Sequence, residues 1–290
     1  MLAASPQLYY VHEPFNPDVR QPGICNITFP HHFTYITEAN ERKYYTPISH
    51  MLARKFDLTA AIAASRSLRE LRRAVTRFQE FREYRRQSKW PLIKDPIALL
   101  SAGWLARRFD INVVLTIRHP AAFVASMKRL NWGFEPSRWA LSQELLLRDH
   151  LKPFEPELRL LQDSPGDAVQ QAAVLWKVLY SVVDTYQTQF PHWTYLRHED
   201  LSRDPMAGFE RLYAALALHF SDRSRTIIAE YSDAANPAAA GGTDRLIKMN
   251  SRTVISQWRH SLSQQEVQRI REIVYPVSSR FYSEDEWEIP

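Results

Sequence analysis

Four short apolar segments, each ending at a polar side chain, restrict the fold of this sequence more than any other feature. They span residues 9–11, 90–96, 111–117 and 193–197, with helical patterns between them. Short buried strands that alternate with helices indicate an α/β fold with a mainly parallel sheet. Because ligands bind at the carboxyl ends of such strands, we expect the side chains there to line one edge of the sheet. These side chains are Glu13, Lys94, Arg118 and His198.

The segments between the strands carry helical patterns. Within residues 59–86, apolar side chains recur at spacings of three and four, which is typical of one buried helix face. They are Leu68, Leu71, Val75, Phe78 and Phe81. Further helices are expected at residues 97–108, 120–130, 137–150 and 167–189. Because no repeat or linker interrupts the sequence, we expect a single domain over residues 1–290.

Turn and capping residues mark the element boundaries. Four prolines between residues 14 and 30 predict a loop held over the surface. Asp204-Pro205 combines an N-cap with a proline at the first helical position. Ser263 and Glu266 have the spacing of a capping box and predict the start of the last helix.

The composition is that of an ordinary globular protein. Hydrophobic residues make up 45% and charged residues 24%, and no apolar stretch is long enough for a membrane span. Cys25 is the only cysteine, which excludes an internal disulfide and favours a reducing compartment. No secretion signal is recognisable at the start, so we expect a cytoplasmic protein. His31-His32 lacks partners at metal-ligand spacing, so we expect no metal site.

The glycines exclude two common nucleotide-binding loops. Only seven glycines occur, and neither G-x-G-x-x-G nor G-x-x-x-x-G-K-S/T can be written from their positions. The net charge of +5 suits an anionic ligand without selecting its class. A nucleotide site in these residues must therefore use another arrangement.

The strand-end sequence "VVLTIRHP" predicts an anion pocket. Arg118 offers a planar fork that suits phosphate oxygens, and Pro120 opens a helix whose N-terminal N–H groups favour an anion. Ser126, two helical turns further on, adds a hydroxyl donor. The alternative is an arginine that pairs with a nearby carboxylate and a serine that bonds its own helix.

An arginine and proline after a strand, with serine eight residues after the arginine, resemble the 3′-phosphate motif of a known family. That family is the sulfotransferases that use 3′-phosphoadenosine 5′-phosphosulfate (PAPS). The match is nearest to protein-tyrosine sulfotransferases and bacterial relatives, and it covers most of residues 1–275. Four further segments resemble family landmarks in the right order: "ASPQLYYVHEP", "IKDPIALL", "LRHEDLSRDP" and "GGTDRLIKMNSRTVISQW".

The resemblance implies a fold, a co-substrate and residue roles. The fold would be a P-loop-NTPase-like three-layer sandwich, a mainly parallel central sheet flanked by helices, here without its first strand and phosphate loop. PAPS would be the co-substrate, without a metal, and a hydroxyl compound the acceptor. Arg118 and Ser126 would hold the 3′-phosphate, Lys94 would touch the transferring sulfuryl group, and Glu13 would be the general base. The remaining nucleotide contacts would be His198, Thr243, Lys248 and Arg252.

The sequence departs from the family pattern at three places. His198 replaces a tyrosine, and Gly242-Thr243-Asp244 replaces Ser-Thr-Asp. The loop Pro-Arg/Lys-Ser-Gly-Thr-Thr, which grips the 5′-phosphosulfate in the family, does not occur. We therefore expect an open reading frame that starts too late, or a truncated gene. The alternative function is a non-catalytic remnant that binds the nucleotide's 3′ end or a partner protein.

Residues 66–89 hold nine Lys/Arg side chains against three Glu. This charge suits nucleic acid or an acidic acceptor, while the simpler interpretation is a solvated helix face. We expect no nucleic acid, and we retain an anionic glycan or acidic peptide as acceptor. Tyrosine, sugar hydroxyl, lipid and small alcohol all remain open. The tryptophans Trp132, Trp139, Trp176, Trp193 and Trp258 are expected in the core or in pocket walls.

Overall fold

The structure is a computed structural model that describes residues 1–238 and 248–288. It is an α/β protein whose described strands pair in parallel, as the sequence predicts, but they form two two-stranded sheets where one sheet was expected. The chain divides into two compact units, one of Leu2–Ile111 and one of Met1 with Asn112–Pro290. In the part of the chain that the structure describes, no helix has the length and apolar character needed to span a membrane.

The unit of residues 2–111 contains one parallel strand pair and four α-helices. The strands are β1 (Leu8–His12) and β2 (Trp90–Lys94). The helices are α1 (Tyr45–Leu52), α2 (Leu58–Ala64), α3 (Leu68–Arg86) and α4 (Ala102–Arg108). Short 3-10 helices cover Leu2–Ala4, Glu41–Lys43 and Pro96–Ser101. The helix predicted at 97–108 is therefore split, because Asp95 and Pro96 open a 3-10 turn before α4 begins.

The proline-rich segment that follows β1 is part of the core, which corrects the prediction of a surface loop. Phe15, Ile24 and Phe29 are buried in one apolar cluster with Val11 of β1. Rings of this segment stack, with the centroids of Phe15 and Phe29 4.6 Å apart. A loop that carries large apolar side chains lowers the free energy of folding by burying them, whatever its backbone conformation.

The helix predicted at 59–86 is two helices. Ser65 ends α2, and Ser67 caps α3 by accepting a hydrogen bond from the Glu70 N–H. Of the predicted apolar face, Phe81 is buried at 4% exposed and Leu71 and Phe78 are partly buried, whereas Leu68 is 76% and Val75 44% exposed. The first half of α3 therefore presents apolar and basic side chains together to solvent.

The unit of residues 112–290 is built around the 22-residue helix α8 (Ala168–Gln189), which buries residues along most of its length. Helices α5 (Pro120–Leu130) and α14 (Gln264–Ser278) pack against α8 and each other. The strands are β3 (Val114–Ile117) and β4 (Thr194–Arg197). The other helices are α6 (Glu144–Leu146), α7 (Glu155–Asp163), α9 (His198–Arg203), α10 (Pro205–Ala215), α11 (Asp222–Ser232), α12 (Ser251–Val254) and α13 (Trp258–Ser261).

Local signals set several boundaries in this unit. Asp204 accepts from Ala207 N–H with Pro205 next to it, and Ser263 and Glu266 form the predicted capping box. The helix expected at 137–150 is instead interrupted, with π-helical turns at Ser137–Leu141 and Leu147–Leu151. Lys152–Phe154 and Glu284–Trp287 are 3-10 helices. Of the five tryptophans expected in the core or in pocket walls, Trp176, Trp193 and Trp258 are buried, Trp139 is partly buried and Trp132 is 57% exposed.

Candidate functional site

Arg118 and His198 lie side by side at the carboxyl ends of β3 and β4. The two strands are parallel neighbours, and Ile117 pairs with Arg197 in their register. Arg118 and His198 are the next residue along each strand. This is the place at which parallel α/β sheets bind ligands. The structure thus brings these two predicted residues together.

Two aromatic side chains of α8 hold the backbone of Arg118. Its N–H group donates a hydrogen bond to Tyr180 Oη at 3.1 Å. Trp176 Nε1 donates to the Arg118 carbonyl at 2.9 Å. Burial raises the pKa of Tyr180 to about 12, so its hydroxyl is protonated at neutral pH. The backbone from which the Arg118 side chain extends is therefore fixed.

The guanidinium of Arg118 has no carboxylate partner. Within residues 1–238 and 248–288 its side chain forms no ion pair, and its Nε atom is buried without a hydrogen-bond acceptor. Burial lowers the pKa of Arg118, and the nearby charge of Glu199 opposes that shift. Arg118 as a whole is partly exposed, so the cation remains accessible to an anion that could pair with it. The alternative that Arg118 serves a structural ion pair therefore does not hold for the described residues.

Most backbone donors at the start of α5 are used within the protein. The His119 N–H donates to Glu199 Oε1 at 2.9 Å, and the Ala121 N–H donates to His119 Nδ1 at 3.3 Å. Pro120 has no N–H to offer. The prediction of free donors is wrong at these three positions, because the protein caps this helix with its own side chains. An anion here depends chiefly on the Arg118 side chain.

Ser126 lies on α5 and is partly buried. Arg129 lies three residues further on the same helix, and its positive charge also acts to lower the pKa of Arg118. Residues three apart share a helix face, so Ser126 and Arg129 are neighbours on α5. Arg129 is a second cation near this edge that sequence reasoning missed. The sequence signal that could have identified Arg129 is its position three residues after Ser126, which places both on one helix face.

The buried carboxylate of Glu199 joins this edge to the C-terminal segment. Its Oε1 accepts from the His119 N–H and its Oε2 from the Tyr282 hydroxyl, both at 2.9 Å. The His119 ring stacks on Trp258, with centroids 5.1 Å apart. Burial lowers the pKa of His119 to about 3, so its imidazole is neutral at neutral pH. Sequence reasoning quoted Glu199 as a landmark but gave it no role.

His198 is a neutral side chain beside the guanidinium. Burial lowers its pKa, and the charge of Arg118 lowers it further. A neutral imidazole offers one donor and one acceptor, so it can hydrogen-bond a ligand without adding charge. This chemistry differs from that of the tyrosine which the resemblance leads one to expect.

Glu13 and Lys94 form an ion pair at the carboxyl ends of β1 and β2. Lys94 Nζ lies 2.5 Å from Glu13 Oε1, and Asn16 Nδ2 donates to Glu13 Oε2 at 3.0 Å. Burial acts to raise the pKa of Glu13, but the bonds from Lys94 and Asn16 outweigh it and the net shift is downward. A carboxylate that acts as a general base near neutral pH needs a raised pKa, and the direction here is opposite because the carboxylate is paired.

Asp95 fixes the turn that carries Glu13. Asp95 Oδ2 accepts from the Phe15 N–H at 2.6 Å, and Oδ1 accepts from the Ile97 N–H at 3.0 Å. Burial raises the pKa of Asp95 to about 6. Glu13 has a φ of 44°, a left-handed conformation that is strained for a residue with a side chain. Such strain persists where surrounding bonds impose it, and Asp95 supplies two of them.

The nucleotide contacts predicted in the C-terminal part of the chain do not share one environment. Lys248 Nζ pairs with Glu230 at 2.9 Å. Arg252 is exposed in α12, which packs against α9 and so lies near the helix that His198 begins. Thr243 lies outside the described residues. Within the described ranges, no group of three or more His, Cys, Asp or Glu side chains is arranged to hold a metal ion.

Comparison with known proteins identifies the family of this chain. The profile of the Sulfotransferase family matches residues 1–222, so the chain belongs to that family. Carbohydrate sulfotransferase 5 of Mus musculus is 24% identical over 200 residues, which are 67% of this chain and 44% of that protein. The chain therefore spans less than half the length of this curated relative.

Proposed function

We propose that this sulfotransferase uses PAPS as donor and transfers its sulfuryl group to a hydroxyl acceptor by in-line displacement. The observation that carries the proposal is the partly exposed Arg118, whose buried Nε has no acceptor and which has no carboxylate partner among the described residues, at a strand end of a sulfotransferase-family chain. A fixed fork of N–H donors suits a terminal phosphate. Ser126, Arg129 and His198 would complete the 3′-phosphate site, with Lys248, Arg252 and Thr243 as contacts from the C-terminal part.

The same proposal assigns the chemistry to Glu13 and Lys94. The acceptor oxygen attacks sulfur, the bond from sulfur to the bridging oxygen of the 5′-phosphate breaks, and 3′,5′-diphosphoadenosine leaves. Lys94 would stabilise charge on the transferring and leaving oxygens, as cations do in phosphoryl transfer. Glu13 is held in its carboxylate form, able to accept the acceptor's proton, although a low pKa weakens it as a base. Lys94 must exchange Glu13 for the sulfuryl group when the donor binds.

The fold proposed with this function is the P-loop-NTPase-like three-layer sandwich. Two parallel strand pairs with flanking helices are compatible with it. A buried single cysteine suits a reducing compartment, so a cytoplasmic location is part of the proposal.

For the acceptor we propose a sugar hydroxyl on an anionic glycan. The relative named above is a carbohydrate sulfotransferase. The exposed arginines Arg72, Arg73 and Arg77 of α3 form no ion pair with any described residue. Such a helix attracts a polyanion through charge complementarity. Exposed Leu68 and Val75 alternate with these charges, so the surface lacks a continuous apolar seam for a partner helix.

The experiment that tests the donor is a transfer assay with PAPS over a panel of acceptors, alongside calorimetry with 3′,5′-diphosphoadenosine and with ATP. The expected result is binding of the diphosphoadenosine and not of ATP, with sulfate appearing on a glycan. Binding without transfer to any acceptor would instead support the non-catalytic alternative. Equal affinity for ATP would overturn the donor assignment.

The acceptor proposal has its own test. The triple variant Arg72→Ala, Arg73→Ala, Arg77→Ala should raise the acceptor KM and leave the PAPS KM unchanged. The matched control removes three positive charges that are already paired with carboxylates, at Lys152, Arg159 and Arg225. An unchanged acceptor KM in the α3 variant, or preference for tyrosine, lipid or a small alcohol, would refute an anionic glycan.

A further inference from the structure

Glu199 is a buried carboxylate that lies near the partly exposed Arg118 without bonding to it. It is 4% exposed, and its charge is the largest electrostatic contribution favouring the Arg118 cation. No described residue forms an ion pair with Glu199. Its two oxygens instead accept from two neutral donors, the His119 N–H and the Tyr282 hydroxyl. A carboxylate and a guanidinium that lie close together ordinarily pair, since a buried carboxylate is costly to leave without a cation.

The two hydrogen bonds that Glu199 accepts from neutral donors determine whether the N–H groups of the Arg118 guanidinium stay available to a ligand. If Glu199 paired with Arg118, its carboxylate would occupy the fork that a phosphate needs. Because both oxygens are already engaged, the negative charge offsets the burial of Arg118 from a distance and the N–H groups of the guanidinium stay available. The His119 bond also fixes the residue next to Arg118 in the chain.

We infer that Glu199 and Tyr282 are positioning residues for the anion pocket, with Tyr282 holding the carboxylate back from Arg118. The inference rests on the proposed 3′-phosphate site and adds to it a way of keeping that site open. Neither residue needs to touch the ligand. Burial and the charge of Glu199 both raise the pKa of Tyr282, so its hydroxyl keeps the proton that it donates.

The C-terminal segment that carries Tyr282 is anchored by other contacts. Arg197 pairs with Glu286, and the Arg197 guanidinium lies over the Tyr282 ring, 4.6 Å from its centroid. The Trp287 ring packs on His119, with centroids 4.6 Å apart. Removal of one hydroxyl at Tyr282 should therefore leave the segment in place and release only the carboxylate oxygen.

Tyr282→Phe tests the inference through a ratio of two affinities. The ratio compares 3′,5′-diphosphoadenosine with adenosine 5′-monophosphate, measured by calorimetry, so it isolates the 3′-phosphate. Glu199 Oε2 loses its donor in the variant and turns to Arg118, which should lower the ratio about fivefold or more, a free-energy change of about 1 kcal/mol. General loosening of the protein would weaken both ligands and leave the ratio unchanged.

Glu199→Gln is the matched control, and its combination with Tyr282→Phe in a double variant tests whether the lost ratio is restored. The glutamine can accept from the His119 N–H and donate to the Tyr282 hydroxyl oxygen, but it has no charge with which to capture Arg118. The ratio should stay at or above the wild-type value in Glu199→Gln, and the double variant should recover to within about twofold of wild type.

The outcomes separate this inference from the proposed function. A wild-type protein without preference for the 3′-phosphorylated ligand contradicts the proposed site itself. A wild-type preference that Tyr282→Phe leaves intact overturns only the role of Tyr282, as does a double variant as weak as Tyr282→Phe. If Tyr282→Phe fails to fold, a fall in the ratio in Glu199→Gln alone would still refute the inference.

Discussion

The two strand ends of this protein treat their cations in opposite ways. At the end of β1 and β2, Lys94 is about half exposed and is paired with Glu13, so the two charges neutralise each other. At the end of β3 and β4, Arg118 is fixed by α8, has a buried Nε without an acceptor, and has no carboxylate partner among the described residues. Lys94 therefore has a charge partner without any ligand. Arg118 gains one only when an anion binds, and this difference makes Arg118 the stronger indicator of a ligand.

Arg118→Met should have the largest effect. The substitution removes the fork that we propose for the 3′-phosphate, and hydrogen bonds to charged groups contribute about 1.5–3 kcal/mol each, so affinity for 3′,5′-diphosphoadenosine should fall about 10- to 150-fold. Because the buried Nε of Arg118 has no acceptor among the described residues, its removal should leave the unfolding temperature of the free protein the same or higher. Calorimetric titration and thermal unfolding check the two parts. A variant that binds normally, or unfolds earlier, would contradict the contrast between the strand ends.

The pH dependence of stability should also distinguish the two ends. The unfolded chain protonates His119 below its ordinary pKa of about 6.5, whereas the folded protein resists protonation down to about pH 3. His119 therefore contributes stability that is full above pH 6.5 and is lost as pH falls, by about 2 kcal/mol between pH 7 and pH 5. Asp95, whose pKa is raised to about 6, contributes a change of opposite sign over this range, so the His119 contribution is the difference between the wild-type slope and the slope of a His119 variant. Denaturant unfolding at several pH values measures this loss. His119→Asn keeps an N-cap acceptor and should flatten the slope.

The Glu13–Lys94 pair gives the control for that experiment. The pKa of Glu13 is lowered, so its contribution to stability is present above the carboxylate's unfolded pKa and is lost only at more acidic pH. Lys94→Met should therefore leave the slope between pH 7 and pH 5 unchanged. An equal flattening in both variants would show that His119 is not the source.

Ser126→Ala should have a smaller effect than Arg118→Met. One neutral hydroxyl is removed, and a typical hydrogen bond contributes about 1 kcal/mol, so affinity for 3′,5′-diphosphoadenosine should fall about three- to tenfold. Ser142→Ala is a suitable control, because that hydroxyl bonds the carbonyl of Arg138 in its own helix turn. Equal losses in the two variants would remove Ser126 from the site.

Lys94→Met should have the smallest effect on stability. A partly exposed ion pair contributes little, so the free energy of unfolding should change by less than about 1 kcal/mol. The pKa of Glu13 should rise, because Lys94 is one of the two partners that lower it. Carbon-13 NMR titration of the Glu13 carboxyl group measures this change. A pKa that does not move would show that the ion pair is absent in solution.

Local patterns in the sequence predicted much of the fold. The four strands, the helix at Pro120–Leu130 and the capping box at Ser263 follow from signals within a few residues. The interruptions at 65–67 and within 137–150 were missed, because an apolar period continues through them. The exposure of Leu68 and Val75 was missed too, since burial depends on what packs against α3 and not on the period of α3 itself.

In the candidate site, too, some features could be predicted from the sequence and others could not. Arg118 and His198 could be placed together because parallel strands end at one edge. The role of Glu199 could not be predicted, because its bond to Tyr282 joins residues 83 positions apart in the sequence. The pairing of Glu13 with Lys94 lowers the pKa of Glu13, and no local pattern reports a contact between residues 81 positions apart. Residue types were therefore predictable from the sequence, whereas their ionisation was not.

The contribution of the 3′-phosphate to binding, measured in the wild-type protein and in Arg118→Met, tests the central claim most directly. Calorimetry gives the affinities for 3′,5′-diphosphoadenosine and for adenosine 5′-monophosphate, and their ratio isolates that phosphate. We expect a ratio well above ten in the wild-type protein and a ratio at least about tenfold lower in the variant, because the lost increment is that of a charged hydrogen bond. The same ratio in both proteins would show that Arg118 does not bind the 3′-phosphate.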